Sequence, residues 1–246
     1  MKLNTFPDPE ALAEFVADTL IAQLRQKPDS VICLASGNSP KLTCAVFTGK
    51  AKAEGLDTSR FFFVGLDEWV GLEPGTPGSC ANDFQTRLFG PLHMASSQYH
   101  LFNGLSDDLR QECFKMDELL AVKGGIDLMI VGIGMNGHIG FNEPGTSWNN
   151  RSHVIKLHET TSSVGQKYFQ ERKTLDQGIT LGFAHLLAAK QVILLADGEA
   201  KAEVIKTAVE GPPDEDFPAT VMQLHPNGII AVDAAAASQL TPKNSY

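Results

Sequence analysis

Residues 31–40 read VICLASGNSP, and this decade decides the fold. Val31 to Leu34 is a short continuous apolar run, which suits a parallel strand buried on both faces. It breaks at once into Ser36-Gly37-Asn38-Ser39-Pro40, small turn residues with a proline where a helix would begin. Helical sequence follows to about Glu54. A strand, a tight turn and a helix in quick succession open a βα unit.

The same alternation repeats downstream. Phe61 to Leu66 reads as a strand, and Asp107 to Val122 as a helix ended by Gly124-Gly125. Ile126 to Val131 and Gln191 to Ala196 read as strands, with a helix over Gly198 to Val209 and a late strand over Gly228 to Val232. Upstream, Asp8 can cap a helix that Pro9 begins, and Leu12, Phe15, Val16, Leu20 and Leu24 recur at helical spacing. The sheet is therefore expected to begin near residue 31, with only this one helix before it. The pattern predicts an α/β fold: a single three-layer, Rossmann-like domain with a mostly parallel sheet flanked by helices. No internal repeat, low-complexity tract or linker divides residues 1–246, and the acidic Pro212-Pro213-Asp214-Glu215-Asp216 reads as a surface loop.

Composition narrows the class. The chain has 246 residues, 43% hydrophobic and 20% charged, with a formal net charge of −9. An acidic surface argues against nucleic acid as the main partner, because phosphate backbones reward clusters of Lys and Arg. It leaves room for a small anionic ligand at a local positive site. The four cysteines, Cys33, Cys44, Cys80 and Cys113, form no CxxC pair and no zinc-ligand spacing. Cys33 lies in the apolar run and reads as a small core residue. The N-terminus lacks the basic and apolar regions of a signal peptide, and no apolar stretch approaches membrane-spanning length. The expectation is a cytoplasmic protein with reduced thiols and no membrane partner.

In parallel sheets ligands bind outside the carboxyl ends of the strands, and three motifs sit at such ends. The first is Ser36-Gly37-Asn38-Ser39. Small residues admit an anion to the backbone, the following helix start adds partial positive charge, and two hydroxyls add donors. The bland alternative is an ordinary helix-capping turn, since neither the Walker nor the GxGxxG spacing is present. The second is Asp67-Glu68. Successive strand side chains point opposite ways, so one carboxylate at most would face a given site, where it could act as a general base. Its bland alternative is a turn-capping Asp. The third is GIGMNGHIGFNEPG over residues 132–145. Five glycines there impose a constrained backbone that carries Asn136, His138, Asn142 and Glu143. A histidine held beside an acid and an amide can move protons near neutral pH. Lys201, at the helix start after Gln191–Ala196, sits where a cation is disfavoured unless an anion pairs with it. By itself it would read as a solvated surface lysine.

Together these residues resemble the glucosamine-6-phosphate deaminase/isomerase family. The matching stretches are LASGNSP at 34–40, LDEWVGL at 66–72, GIGMNGHIGFNEPG at 132–145, GEAKA at 198–202 and, more weakly, QLHPN at 223–227. Similarity runs from the first helix to about Asp233. The resemblance implies a substrate, a 6-phosphorylated hexosamine, and products, a ketohexose 6-phosphate and ammonia. It makes Asp67 the base between C2 and C1, His138 the group that assists ring opening, and Glu143 the carboxylate supporting that histidine. Asn136 stands where some members carry Asp and others Asn. Ser36, Gly37, Asn38, Ser39 and Lys201 fall among the substrate-binding positions, with Gly137 of the third loop beside them. No metal, redox cofactor or covalent nucleophile is called for by that chemistry.

Two departures accompany the resemblance. Members of the family often carry an Arg after the stretch matching His153-Val154-Ile155, on a mobile lid, here around residues 155–175. The best match is Lys167, which lacks the bidentate geometry of Arg. The sequence also ends soon after Asp233, where longer members carry an extension tied to assembly and activation. A monomer or small homo-oligomer without an activator is expected. KPDSVICLASG, LDEWVGLEPGTPGSC and KGGIDLMIVGIGMNGH also lean toward the galactosamine-6-phosphate branch, so both sugars stay open. The rivals are a 6-phosphogluconolactonase-like hydrolase, against which FNEPG and LDEW speak, and a non-enzymatic sugar-phosphate-binding protein. The second would be a sensing domain behind a helix-turn-helix, or a paralogue that binds without turnover.

Overall fold

The sheet is built from apolar runs that bury both faces. In the computed structural model, which describes residues 1–242, seven strands form one all-parallel sheet. They are β1 (Lys2–Phe6), β2 (Val31–Leu34), β3 (Phe62–Gly65), β5 (Tyr99–His100), β6 (Leu128–Val131), β9 (Gln191–Ala196) and β10 (Gly228–Asp233), in the order β1-β10-β9-β6-β2-β3-β5. Alternate residues of one strand enter opposite cores, as period-two geometry requires. Val31 and Cys33 pack with Met129, Val131, Val192 and Leu194 on one face. Ile32 and Leu34 pack with Leu128, Ile130, Ile193 and Leu195 on the other.

Helices cover each face. On the second face lie α1 (Pro9–Gln26) and α2 (Ser39–Ala53), with the Phe63, Phe84 and Phe89 rings. The first face is covered by α5 (Leu109–Lys123), α7 (Phe183–Ala188) and α8 (Ala202–Glu210). The expected punctuation forms. Asp8 accepts from Ala11 N at 2.7 Å to cap α1, and Gly124 closes α5 in the left-handed region at φ 82°.

Two expectations need correction. The sheet does not begin near residue 31. Lys2–Phe6 forms its first strand, an edge strand beside β10. Its half-exposed side chains carry little apolar signal, and its order comes from backbone pairing with a segment more than 220 residues away. The sheet is also not the only one. Phe61–Leu66 does not simply end at the acidic pair. The chain turns into β4 (Asp67–Trp69), which joins β8 (Gln177–Thr180) and β7 (His153–Lys156) in a small antiparallel sheet.

The strand pair that positions the site is fixed from its far end. Buried Asp127 accepts from Val31 N at 2.8 Å, from Lys27 Nζ at 2.7 Å and from Lys190 Nζ at 2.6 Å. The Asp127 N–H returns a bond to Val31 O at 2.9 Å. The two lysines are well exposed and screened, so most of this bracket's worth lies in the buried amide bond. Asp127→Ala leaves the Val31 N–H unpaired, and a loss of about 2 kcal/mol in urea unfolding is expected. Ligand affinity should be little changed, because Asp127 sits at the opposite edge of the sheet.

Candidate active site

From β2 the chain moves to β3 and β5 on one side, then returns to β6 on the other side of β2 and continues to β9 and β10. The loops leaving β2 and β6 therefore diverge and open a crevice between them. A cavity of about 560 Å³ fills it. Its lining includes Ser36, Gly37, Asn38, Ser39, Asp67, Cys80, Gly134, His138, Thr161, Lys167, Tyr168 and Lys201. A trough of about 570 Å³ near α1 is open surface beside the Arg25–Glu54 ion pair and gathers no comparable set of groups.

Asp67 and Glu68 are both buried, and the strand alternation separates them. Glu68 points away from the cavity. Its Oε1 accepts from Trp69 N at 2.9 Å and Cys80 N at 3.0 Å, and its Oε2 from Ala81 N at 2.8 Å. Burial raises its pKa and those three amides pull it back, leaving it above the ordinary carboxylate value. Asp67 lines the cavity with one side-chain donor, the Cys80 thiol, at 3.5 Å from Oδ1. Burial pushes its pKa up to about 7, with the Cys80 bond opposing and the Glu68 charge adding to the rise. A carboxylate poised near neutrality suits a general base.

The glycine-rich loop after β6 holds His138 by its ring. Asn136 Oδ1 lies 2.6 Å from Nδ1, and Asn136 Nδ2 donates to Glu143 Oε2 at 2.9 Å. Glu143 itself stands 3.8 Å from Nδ1, while its Oε1 accepts from His158 N at 3.1 Å. The amide orientation that serves Glu143 presents an oxygen to the ring, so Nδ1 carries the proton. Nε2 keeps its lone pair and has no protein partner among the described residues. Burial holds the His138 pKa below its ordinary value, against the opposing pull of Glu143. Gly134 is required beneath the ring, because a Cβ there would lie 2.1–2.4 Å from its atoms. Gly137, expected at the substrate, does not line the cavity. Its N–H donates to Gly134 O, its carbonyl accepts from Ala219 N, and a Cβ would meet the Phe217 ring at 2.8 Å. Packing against residues 217–219 is what its missing side chain serves.

The loop after β2 is braced more than expected. Gly37 N donates to Asp83 Oδ2 at 3.2 Å, Arg87 Nη1 donates to Gly37 O at 2.6 Å, and Arg87 and Asp83 pair at 2.9 Å. The Tyr168 hydroxyl stands against the same turn, 3.0 Å from where a Cβ on Gly37 would lie. One of the amides expected to cradle an anion, Gly37 N, is thus engaged by a side chain. The Ser39 hydroxyl and the start of α2 remain. Lys201 donates to Ile133 O at 2.6 Å, in a 3-10 turn (Glu199–Lys201) ahead of α8. Burial and then the Lys167 charge lower its pKa, and Asp197 raises it. Two ammonium groups therefore face one cavity, an arrangement that favours a dianion between them.

The family model for "Glucosamine-6-phosphate isomerases/6-phosphogluconolactonase" matches residues 8–230. The chain belongs to this family. It is 37% identical over 241 residues to a glucosamine-6-phosphate deaminase of Rhodopirellula baltica, covering 98% of this chain and 96% of that one. It is 37% identical to another deaminase of that name, from Bacillus pumilus, covering 97% of this chain and 99% of that one. Among solved structures, a monomeric glucosamine-6-phosphate deaminase superposes with a TM-score of 0.94 at 34% identity, covering 97% of this chain and 100% of that one. A 6-phosphogluconolactonase from Trypanosoma brucei shares the fold, with a TM-score of 0.80 at 17% identity, over 98% of each chain.

Within this family frame, Asp67, His138, Ser36, Gly37, Asn38, Ser39, Lys167 and Lys201 all reach one cavity. Asn136 and Glu143 stand behind His138 and outside that lining. Sequence reasoning missed Thr161, whose hydroxyl lies 3.1 Å from His138 Nδ1, and Tyr168, which reaches the loop after β2. Both come from residues 155–175, through α6 (Glu159–Gly165) and a 3-10 turn (Gln166–Tyr168). It also missed Cys80, Asp83 and Arg87, on α3 (Cys80–Phe84) and the π-helical turn Gln85–Phe89 that follows. The serine and cysteine after LDEWVGL were a visible signal for that segment.

The histidine arrangement has a direct readout. At pH 6, where an ordinary histidine of pKa about 6.5 is mostly charged, the ring 15N shifts of His138 should report the neutral Nδ1–H tautomer. Gly134→Ala should drive the ring from its seat and return its titration toward the ordinary value.

Proposed function

We propose that the protein converts a hexosamine 6-phosphate and water into the ketohexose 6-phosphate and ammonia, with glucosamine 6-phosphate or its C4 epimer galactosamine 6-phosphate as substrate. The observation that carries this reading is the pairing, in one cavity, of two different proton-transfer groups beside two ammonium groups. Asp67 is a buried carboxylate poised near neutrality, and His138 is a neutral imidazole with a free Nε2. The named deaminase relatives support it over nearly the full chain.

The chemistry runs as follows. Lys201 and Lys167 hold the phosphate, aided by the Ser36 and Ser39 hydroxyls. His138 Nε2 takes the O1 proton of the pyranose and returns it to O5, which breaks the C1–O5 bond and leaves the open-chain aldehyde. Glu143 and Asn136 keep Nδ1 protonated throughout. The Asp67 carboxylate then removes the C2 proton while the C2 ammonium gives one proton to O1, yielding an enolamine, and Asp67 delivers its proton to C1. The resulting imine at C2 adds water and expels ammonia. The Tyr168 hydroxyl stands against Gly37 of the loop that would receive the phosphate, so residues 155–175 act as a lid that shifts when substrate enters. A monomer is the proposed active form, as in the structural relative so described.

Ammonia release from glucosamine 6-phosphate and galactosamine 6-phosphate, measured side by side with a chelator present, tests the reaction. Release from either supports it, and the preferred sugar fixes the epimer. Silence from both, with hydrolysis of a sugar-phosphate lactone, would replace it by the hydrolase reading. Asp67→Asn should lower turnover by about 10²–10⁴-fold, the usual share of a general base, and abolish exchange of the C2 hydrogen with solvent while phosphate-dependent binding persists. Because Asp67 must be ionised, kcat/KM should rise with pH through about 7. Each pH unit below that midpoint should cost about tenfold. Lys201→Ala should raise KM about tenfold or more, the scale of a lost charge-assisted bond to phosphate, with a smaller effect on kcat.

A further inference from the structure

Asp67 is flanked by four titratable groups from four elements. Cys33 lies on β2, Glu68 is its neighbour on β4, Cys80 is on α3, and Tyr168 comes from the lid. They are not equivalent. Glu68 is turned to the backbone amides of Trp69, Cys80 and Ala81. Tyr168 turns its hydroxyl to the loop after β2, against Gly37. Cys33 makes no hydrogen bond to the carboxylate among the described residues. Cys80 alone does, at 3.5 Å to Oδ1.

The surroundings fix that thiol in place. Ser79 caps α3 by accepting from Asn82 N at 3.1 Å, and its own hydroxyl donates to Pro74 O at 2.8 Å. Glu68 grips the first two amides of the helix, Cys80 N and Ala81 N. Cys80 is 4% exposed. Burial and the adjacent Glu68 and Asp67 charges keep the thiol protonated, so towards a carboxylate it acts as a donor. A donor on Oδ1 stabilises the ionised form and selects one rotamer, which leaves Oδ2 without a side-chain partner.

We propose that Cys80 is a positioning residue for Asp67: its thiol, donating to Oδ1, fixes which carboxylate oxygen is presented to C2 of the sugar. This rests on Asp67 being the base of the proposed reaction. No bond is made or broken at sulfur. Its effect is confined to the ionisation and orientation of its neighbour.

The test titrates Asp67 directly in the free, full-length protein by 13C NMR of its side-chain carboxyl, assigned by loss of the signal in Asp67→Asn. It is run beside the pH profile of kcat/KM. Cys80→Ala and Cys80→Val both remove the donor, and the second fills the space. Each should raise the carboxyl midpoint by about half a pH unit or more. Each should also lower kcat/KM at pH 6.5, relative to its plateau at pH 9, by about threefold beyond the wild type. Cys80→Ser keeps an O–H donor and should hold the midpoint at or below the wild-type value. An unmoved midpoint in the Ala and Val variants overturns the proposal. So does a Ser variant that behaves like Ala. A midpoint that moves without the activity limb following it would uphold the Cys80 contact and strike the assignment of Asp67 as base.

Discussion

The site depends on where the chain reverses direction across its sheet. Parallel strands place all their carboxyl ends on one edge, yet most of that edge is closed by the turns that lead into helices. Between β2 and β6 the two exits lead to opposite sides, so no helix start can cover the gap. The loop that carries Ser36–Ser39 and the loop that carries His138 border that gap from its two sides. Asp67 enters from the next strand out, β3, because the chain bends at Leu66 and starts the second sheet there. Asp127 fastens β2 to β6 at the far end by backbone and side-chain bonds. The crevice therefore has a floor fastened from below and edges braced by side chains, which suits a site that must hold its groups in fixed positions.

Burying two adjacent carboxyl groups is costly unless each finds donors. The period of the strand gives them different solutions. Glu68 collects three amides and becomes structural, tying β4 to the start of α3. Asp67 is left with a weak sulfur donor and a negatively charged neighbour, and its pKa climbs to about 7. In the proposed reaction, the cost accepted at Asp67 is a large part of what would make it reactive. A stronger set of donors would stabilise the fold and hold the carboxylate too acidic to take a proton from carbon. On the proposed reaction, stability and chemistry are thus divided between two neighbouring residues by nothing more than which face each one points to.

The parts of this arrangement legible in sequence are those written in local pattern. Continuous apolar runs gave β2, β6, β9 and β10, and the glycines, serines and acids immediately after them gave most of the lining. What local pattern does not carry is contact with distant segments. Lys2–Phe6 is a strand because β10 offers it an edge. Asp67–Trp69 is a strand because Gln177–Thr180 runs antiparallel beside it. Asp83 and Arg87 brace Gly37 across 46 and 50 residues of sequence. Tyr168 reaches Gly37 from further still. The same limit explains Gly137, which looked like ligand-facing backbone among its glycine neighbours and is instead small to admit the Phe217 ring.

The histidine shows how much an uncharged residue can decide. Asn136 has one donor end and one acceptor end, and Glu143 claims the donor. Its oxygen then faces His138 Nδ1, and the tautomer follows without further help. A carboxylate at 136 would also accept from Nδ1, but it would place a second negative charge against Glu143 in a buried space and make the imidazolium far easier to form. With the amide between them, the Glu143 charge stays at 3.8 Å from the ring and the imidazole remains neutral. A neutral ring is the form that can accept a proton from a sugar hydroxyl and release it again to the ring oxygen. A ring held charged would have no lone pair with which to start.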